Sequence, residues 1–315
     1  MLDHDISYLM GLITGKGKLI RGNKQTTIII EIPHKNLKIE GKDTQKSIKS
    51  SLLDLVGRIK PLVGADIDWD VQNKSKAYIK FRKPNKDYLI RTIVKFLDRR
   101  GSWRSFRIPK KIFKTSKDNK KEFLRGLADV TAHIRKSNLA FGINYNNRVY
   151  IEIMDNWMIV IDICNLLKSI DIPVQTIRWA HPNFVDPSLK YYKKGIKNYK
   201  EHQIKIWAEE FEKIGFNIEH KDELLEKYAN LNRKNWNNKY KEMAKKTTSE
   251  KKKKKFKKKI GNIKKSHHKF YWEKRKRDKE KESHPEEDNK KIHPKIRGKH
   301  FNHWTEIAKE LGYNE

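Results

Sequence analysis

Cysteine is almost absent from this 315-residue chain, which contains only Cys164. A single thiol cannot form an internal disulfide, so the fold does not depend on a disulfide framework, and this usage is typical of a reducing compartment. No apolar run approaches the roughly 20 residues that cross a bilayer as a helix. The first residues, MLDHD, carry acids where a secretory signal carries basic residues. We therefore expect an intracellular protein without a transmembrane helix.

Acidic residues are few compared with basic ones. The chain has 39 Asp and Glu against 73 Lys and Arg, which gives a formal net charge of +34 and a pI near 9.9. This excess is larger than solubility requires, and it favours a polyanionic partner, of which nucleic acid is the usual one. No apolar helical face accompanies the run KKKKKFKKK at 251–259, so the sequence does not favour membrane binding.

The chain changes character near residue 230. Apolar residues recur in periodic blocks before it, whereas the segments KKTTSEKKKKKFKKKIGNIKK and KRKRDKEKESHPEEDNKK after it are too charged to bury a core. We predict two halves at 1–98 and 119–230, a linker at 99–118 and a basic arm at 231–299. The last segment, 300–315, regains a helical pattern and is predicted to be a terminal helix.

The body of the chain contains an internal repeat. YLMGLITGKG at 8–17 resembles FLRGLADVTA at 123–132, with matching glycines 115 residues apart. IIIEI at 28–32 matches VYIEI at 149–153, an offset of 121. Because alternate residues of a strand share a face, each segment places three aliphatic residues on one face and a glutamate on the other. The repeat therefore predicts two copies of one structural unit.

Later segments continue this repeat. Two helix patterns match at an offset of 111, with the apolar faces Ile48, Leu52, Leu55, Val56, Ile59 and Ile159, Ile163, Leu166, Leu167, Ile170. IDW at 67–69 then matches IRW at 177–179, and YIKF at 78–81 matches QIKI at 203–206. Each half reads α-β-β-α-β-β-α, with an insertion near HPNFVDPSLKYYKKG in the second. The predicted fold is α+β, duplicated about a pseudo-twofold axis.

Small residues recur at turn spacing in the two opening helices. Without a large side chain, the backbones of two helices can approach closely. Gly11 and Gly15 of the first helix, and Gly126 and Ala128 of the second, supply such a surface. We predict that the two helices pack against each other on the pseudo-twofold axis, so that the two sheets form one curved surface.

These motifs resemble those of the LAGLIDADG family of homing endonucleases and intron maturases. The resemblance rests on Y-L-x-G-L-x-x-x-x-G, on F-L-R-G-L-A-D and on the lead-in FRIPKKIFKTSKDNKKEFLRGLAD, and it covers roughly residues 1–220. It implies a monomer with two motifs whose sheets straddle a long double-stranded DNA site in the major groove. It also implies that the penultimate motif positions are acids that hold a divalent metal, with Mg²⁺ as the expected ion.

The two acid positions of the family are replaced here by Lys16 and Thr131. A lysine offers no acceptor atom and a threonine offers one neutral oxygen, whereas Mg²⁺ prefers carboxylates. The usual metal-dependent cleavage is therefore in question. Lys16 remains a candidate catalytic residue, because an ammonium can stabilise a phosphate or replace a cation electrostatically.

Other acids are candidate catalytic and metal-binding residues. Glu31 and Glu152 occupy equivalent strand positions, on the face opposite the aliphatic triplets. Metal binding is one interpretation of this pair; pairing with lysine or reading a base edge is the other. Asp129 lies two residues before Thr131, at about 200° around the helix. We interpret it as a surface or helix-end acid, with metal binding as the alternative.

Basic residues of the strands and turns are the candidate nucleic-acid contacts. They are Lys18, Arg21, Lys24, Lys80, Arg82, Arg135, Lys136, Arg148, Arg178 and Lys205. With the family resemblance, we predict a sequence-specific double-stranded DNA endonuclease of the homing or restriction type with an altered metal site. The alternatives are a catalytically inactive, sequence-specific DNA-binding protein and a maturase that binds structured RNA.

Overall fold

A computed structural model describes residues 3–38, 44–64, 66–71, 75–136, 147–181 and 201–245 of the chain. The predicted terminal helix, most of the predicted basic arm and the predicted insertion lie outside these residues. Within them, no helix is both long and apolar enough to cross a membrane.

The first half follows the predicted order of elements. It contains α1 (His4–Lys16), β1 (Gly17–Arg21), β2 (Gln25–Pro33), a 3-10 turn (His34–Asn36), α2 (Thr44–Val63), β3 (Ile67–Asp70), β4 (Lys76–Pro84) and α3 (Tyr88–Phe96). Two of these helices begin at aspartate caps. Asp3 accepts from the backbone N–H of Ile6 at the start of α1, and Asp87 accepts from Leu89 and Ile90 at the start of α3.

The second half repeats this order after the short helix α4 (Lys110–Phe113). It contains α5 (Lys117–Thr131), β5 (Ala132–Lys136), β6 (Asn147–Met154), α6 (Trp157–Ser169), β7 (Thr176–His181), β8 (Glu201–Trp207) and α7 (Ala208–Phe211). The predicted α-β-β-α-β-β-α order is therefore confirmed in both halves, although α7 is shorter than the apolar pattern of residues 207–214 indicated.

Each half forms a four-stranded antiparallel sheet, with the strand orders β1-β2-β4-β3 and β5-β6-β8-β7. The pairing confirms the equivalence of β2 and β6, because Gly17 lies opposite Ile30 and Ala132 lies opposite Ile151. The core side of both sheets carries the predicted aliphatic triplets, which are buried together with the predicted faces of α2 and α6.

One predicted equivalence is wrong by two residues. The sequence aligned Trp69 with Trp179, but Trp69 pairs with Ile79 and Ile177 pairs with Ile204, so Trp69 corresponds to Ile177. A shift of two leaves every side chain on the same face of its strand. For this reason the alternation of apolar and polar residues could not distinguish the two alignments.

The opening helices α1 and α5 pack as predicted, and their backbones nearly touch. A Cβ atom added at Gly11 would lie 2.0 Å from the carbonyl oxygen of Phe123, and one added at Gly126 would lie 2.2 Å from that of Tyr8. These two contacts are related by the 115-residue offset of the repeat, so the pseudo-twofold axis passes between them. Gly15 lies in the same interface, whereas the buried Ala128 is about 200° around α5 from Gly126, and its place in the interface stays a prediction.

The predicted linker is part of the core. Phe106, Ile108 and Ile112 are buried. Arg107 forms an ion pair with Asp162 of α6, with the Nε and Nη2 donors 2.5 and 2.8 Å from the carboxylate oxygens. The polypeptide between the halves is thus fixed to the second half by both apolar contacts and a bidentate ion pair.

A long helix, α8 (Glu219–Lys245), runs through the predicted boundary at residue 230. Leu225 and Ala229 are buried, and Asn232 donates to the backbone carbonyl of Asn147 at 2.9 Å. The packed body therefore extends past the point at which the composition of the sequence becomes strongly basic. The other predicted domain boundaries stay predictions.

Candidate nucleic-acid interface

The outer face of each sheet is the face opposite the aliphatic core. On the first sheet it carries Lys18, Ile29, Lys80 and Asp68 in one row across the strands, because these residues pair directly. On the second sheet the corresponding row is His133, Tyr150, Lys205 and Thr176. The predicted candidates Lys80 and Lys205 therefore occupy equivalent positions in the two halves.

Basic side chains of the first outer face are matched by acids. Lys18 Nζ lies 2.9 Å from Glu31 Oε1, and Lys80 Nζ lies 3.3 Å from Asp68 Oδ2. The exposed Arg82 donates from Nε to Thr27 Oγ1 at 3.2 Å. Exposed ion pairs of this kind contribute little to stability, so the cations can exchange their partners for phosphate oxygens.

The second outer face has an aromatic and cationic character. His133 stacks on Tyr150 with ring centroids 5.3 Å apart, and the Arg135 guanidinium lies 4.5 Å from the Tyr150 centroid. Arg148 lies 4.6 Å from the ring of Trp207. Tyr150 and Lys205 are buried, whereas Arg135 is exposed and Arg148 is half-buried. The cations open to solvent lie towards one end of this face.

Of the four other predicted contacts, three lie off the outer-face rows. Arg21 pairs with Thr26 and Lys136 pairs with Asn147, so both follow the core-side row and are exposed only because they end their strands. Lys24 is exposed in the turn between β1 and β2. Arg178 is placed by its backbone, which pairs with Gln203. A contact between these residues and nucleic acid stays a prediction.

A charged centre lies where the two halves meet. We define it as Lys16 at the end of α1, Lys35 of the 3-10 turn, and Glu152, Glu201 and Gln203 of the second sheet. Lys16 is only 6% exposed, and its ammonium lies 4.8 Å from the centroid of the Trp103 ring. Burial, followed by the neighbouring Lys35, lowers the pKa of Lys16 to about 8, although Glu152 and Glu201 oppose this shift.

Lys35 links the two halves at this centre. Its ammonium forms ion pairs with Glu152 and, at 3.3 Å, with Glu201 Oε2. Burial acts to lower the pKa of Lys35, but the two glutamates together outweigh it and the net shift is upward. The pKa of Glu201 is raised by its burial and by the charge of Glu152, which opposes a second negative charge so close by.

An amide and an imidazole complete the surroundings of the two carboxylates. Gln203 Nε2 donates to Glu152 Oε1 at 3.0 Å and to Glu201 Oε1 at 3.2 Å. His133 Nδ1 lies 3.7 Å from Glu152 Oε1. Burial, with Arg135 and Lys35 nearby, lowers the pKa of His133 to about 3, so its ring is neutral at physiological pH.

The two positions that the family resemblance assigns to metal-binding acids do not fit a metal ion. Lys16 contributes a cation, and Thr131 donates its hydroxyl to the carbonyl oxygen of Leu127 at 2.6 Å. In the described part of the chain, no group of three or more His, Cys, Asp or Glu residues is arranged to hold a metal ion. The predicted ligands Glu31 and Glu152 are each paired with lysines. Metal binding, including that of Mg²⁺, stays a prediction.

Asp129 is not the surface acid that the sequence indicated. It is fully buried beside the twin helices, where it accepts from the Tyr8 hydroxyl at 2.7 Å and from the backbone N–H of Asn217 at 3.2 Å. Burial raises the pKa of Asp129 to about 6. Burial also lowers the pKa of the nearby Lys221 to about 8. The interpretation failed because a helix packed on several sides has no solvent face at this position.

Three residues of the charged centre, Lys35, Glu201 and Gln203, were missed by sequence reasoning. Lys35 lies in a turn without periodicity, and Glu201 is the first residue of β8. They are 166 residues apart in the sequence. A weak signal existed for Glu201, because Glu201, Gln203 and Lys205 share the alternation that selected Glu152.

Comparisons with known proteins give the following result. No family model and no curated protein matches the chain. Similar solved structures include I-DmoI in complex with DNA and Mn, at 14% identity and a TM-score of 0.35 over 70% of this chain and 96% of that one. The LAGLIDADG meganuclease I-AabMI bound to uncleaved DNA is 13% identical, with a TM-score of 0.34 over 82% of this chain and 98% of that one.

A third similar structure is the I-SmaMI LAGLIDADG homing endonuclease bound to cleaved DNA, at 9% identity and a TM-score of 0.33 over 68% of this chain and 80% of that one. These structures thus include members of the family whose motifs the sequence resembles. Binding and cleavage of DNA are properties of those proteins, and what this chain does is argued below from its own residues.

Proposed function

We propose that this protein binds double-stranded DNA sequence-specifically, as a monomer, along the outer faces of its two sheets. The observation that carries the proposal is the pairing of two equivalent sheets by the twin helices, with basic residues on the outer face of each, such as Lys80 of the first sheet and the exposed Arg135 of the second. Two such faces related by a twofold axis suit two successive stretches of one duplex.

Outer-face side chains supply both parts of such recognition. Lys18, Lys80, Arg82 and Arg135 offer donors to phosphate oxygens and to guanine edges. Asp68 and Glu31 offer acceptors to cytosine amino groups once their lysine partners turn to the backbone. Arginine, lysine and acids in alternating positions thus give a face that can discriminate among base pairs as well as bind the backbone.

We predict that the double variant Lys80→Ala/Arg82→Ala weakens DNA binding and its salt dependence. The slope of log K against log salt is expected to fall in magnitude by about 2, because each lost phosphate contact contributes roughly 0.9 to the slope on B-DNA. Binding is measured by fluorescence anisotropy over a salt series, on duplexes selected from a random library by the wild-type protein.

The control is Lys49→Ala/Lys60→Ala, which removes the same charge from exposed positions of α2 on the core side of the sheet. It is expected to leave the slope nearly unchanged. Equal losses in the two double variants would show that binding depends on total charge alone. Preferential retention of a structured intron RNA over the selected duplex would favour the maturase function instead.

Strand cleavage is a second candidate function, favoured by the two buried carboxylates beside Lys16 in the charged centre. Cleavage is tested by incubating the duplex library with Mg²⁺, Mn²⁺ or EDTA and sequencing the new ends. If the centre cleaves, breaks recur at one sequence and disappear in Glu152→Gln, while Glu210→Gln on α7 leaves them unchanged. A footprint without breaks leaves binding as the function.

A further inference from the structure

The two buried carboxylates of the charged centre need a positive charge between them. Glu152 and Glu201 are each about 5% exposed and come from neighbouring strands of one sheet. Two ionised carboxylates so close together and removed from water repel each other strongly. Burial of this kind is stable only when a cation, a proton or several donors neutralise it.

The Lys35 ammonium supplies that cation from the opposite half of the molecule. It contacts Glu152 Oε2 and Glu201 Oε2 simultaneously, as one cation bridging two carboxylates. Gln203 Nε2 donates to the other oxygen of each glutamate, so the same two side chains are also bridged by an amide. Each glutamate therefore has one oxygen beside the Gln203 amide and the other oxygen beside the Lys35 ammonium.

Two further atoms of this cluster lack a partner. Gln203 Oε1 and His133 Nδ1 are buried and have no hydrogen-bond partner within the described residues. Gln203 is 3% exposed, and its amide already points into the carboxylate pair. An imidazole nitrogen, an amide oxygen and two carboxylates are all ligands that a first-row divalent ion accepts. With the ammonium in place these side chains are not arranged around an ion, and Gln203 turns its Nε2 rather than its Oε1 towards the carboxylates.

We propose that the Lys35 ammonium takes the place of a divalent metal ion between Glu152 and Glu201. In the wild-type protein this centre is neutralised by a tethered side chain, so it binds no divalent ion. Lys16 adds a second positive charge within electrostatic range of the same glutamates and further disfavours a metal. Removal of Lys35 is expected to uncover a site formed by Glu152 and Glu201, with Gln203 and His133 as further ligands once the amide of Gln203 turns its oxygen towards the ion.

The proposal is tested with Mn²⁺ and the full-length protein in the absence of DNA, so its outcome does not depend on the proposed DNA binding. Lys35→Met removes the ammonium and keeps an unbranched side chain, and Lys35→Gln provides a second, polar variant should the first fold poorly. Binding is measured by the loss of the free Mn²⁺ signal in electron paramagnetic resonance. The thermal midpoint is measured in parallel, because an ion that binds the native state raises it.

The expected result is Mn²⁺ binding at least about tenfold tighter in Lys35→Met than in the wild type, since one positive charge has left two carboxylates. The gain is lost in Lys35→Met/Glu201→Gln and in Lys35→Met/Glu152→Gln. Lys76→Met, which removes an exposed ammonium 3.9 Å from Glu31, is the matched control and is expected to bind Mn²⁺ as the wild type does.

Two results would overturn the proposal. One is Mn²⁺ binding by the wild type that disappears in Glu201→Gln. This would mean that a metal ion displaces the Lys35 ammonium although Lys35 has not been replaced. The other is equal Mn²⁺ binding by folded Lys35→Met, Lys35→Gln and Lys76→Met, which means that the two glutamates are not a metal site even when they are released.

Discussion

Replacing Gly126 by alanine is expected to destabilise the fold by about 3 kcal/mol, the upper end of the roughly 1–3 kcal/mol that overpacking usually costs, because the contact is with rigid backbone. The new Cβ would lie 2.2 Å from the carbonyl oxygen of Tyr8, which belongs to the backbone of the facing helix and cannot turn aside. The twin helices must therefore separate, and with them the two sheets. Chemical denaturation of the full-length protein measures the change, with the midpoint and slope both fitted.

Gly57→Ala is the matched control for this substitution. Gly57 lies in α2, and a Cβ atom added there meets nothing within 4 Å. Alanine has the higher helix propensity, so this variant is expected to gain about 0.5–1 kcal/mol. The same chemical change thus has opposite signs at two helical positions. If Gly126→Ala and Gly57→Ala prove equally stable, the helices do not approach as closely as described and the shared axis of the two sheets is lost.

Replacing Lys16 by methionine is expected to stabilise the protein by about 1–3 kcal/mol at pH 7. The fall in its pKa from 10.5 to about 8 corresponds to about 3 kcal/mol of penalty on the charged form in the folded state. Methionine has a similar length and no charge to desolvate. A lysine that weakens the fold at the point where the two halves meet is typical of a residue retained for function.

Stability also depends on pH in a direction that follows from this shift. The native Lys16 titrates near pH 8 and the unfolded one near 10.5. Between these values the unfolded chain binds more protons, so the penalty is fully present below about pH 8 and disappears as the pH rises to 10.5. Lys221 shifts in the same direction. The increase in stability from pH 8 to 10 should therefore be smaller in Lys16→Met than in the wild type, but not abolished.

The free energy of unfolding is measured at pH 7, 8, 9 and 10 for the wild type, Lys16→Met and the control Lys49→Met. The control changes an exposed lysine of α2 and is expected to follow the wild type at every pH. A loss of stability in Lys16→Met at pH 7 would contradict the prediction, since it would mean that the attraction of Glu152 and Glu201 exceeds the burial penalty of Lys16.

The two halves differ at the equivalent positions that were predicted to form the catalytic and metal-binding site. Glu31 and Glu152 are equivalent, but Glu31 is partly exposed and paired with Lys18, whereas Glu152 is buried and paired with Lys35 from the other half. Lys16 and Thr131 likewise end equivalent helices with different chemistry. Within the residues that the structure describes, the duplicated scaffold thus carries one such charged centre rather than two, on the side of the second sheet.

Sequence patterns predicted the scaffold well because its elements depend on local periodicity. The alternation in IIIEI and VYIEI requires strands with one buried face, and the spacing of Gly11 and Gly126 requires close helix contacts. Both features lie within short segments. The equivalence of Trp69 with Ile177 was not accessible in this way, because a shift of two residues preserves every local pattern.

The amino-acid sequence alone determined the duplication, the order of elements in each half, the aliphatic faces and the presence of Lys16 and Thr131 where the family resemblance implies acids. The tertiary structure decided that Lys35 reaches Glu152 and Glu201, that Asp129 is buried and that α8 continues the body. The periodicity of apolar residues indicates which side of a helix or strand is buried, because each element needs an apolar face wherever it packs. The periodicity does not indicate which residue of the other half contacts that element, because this depends on how the two halves pack together.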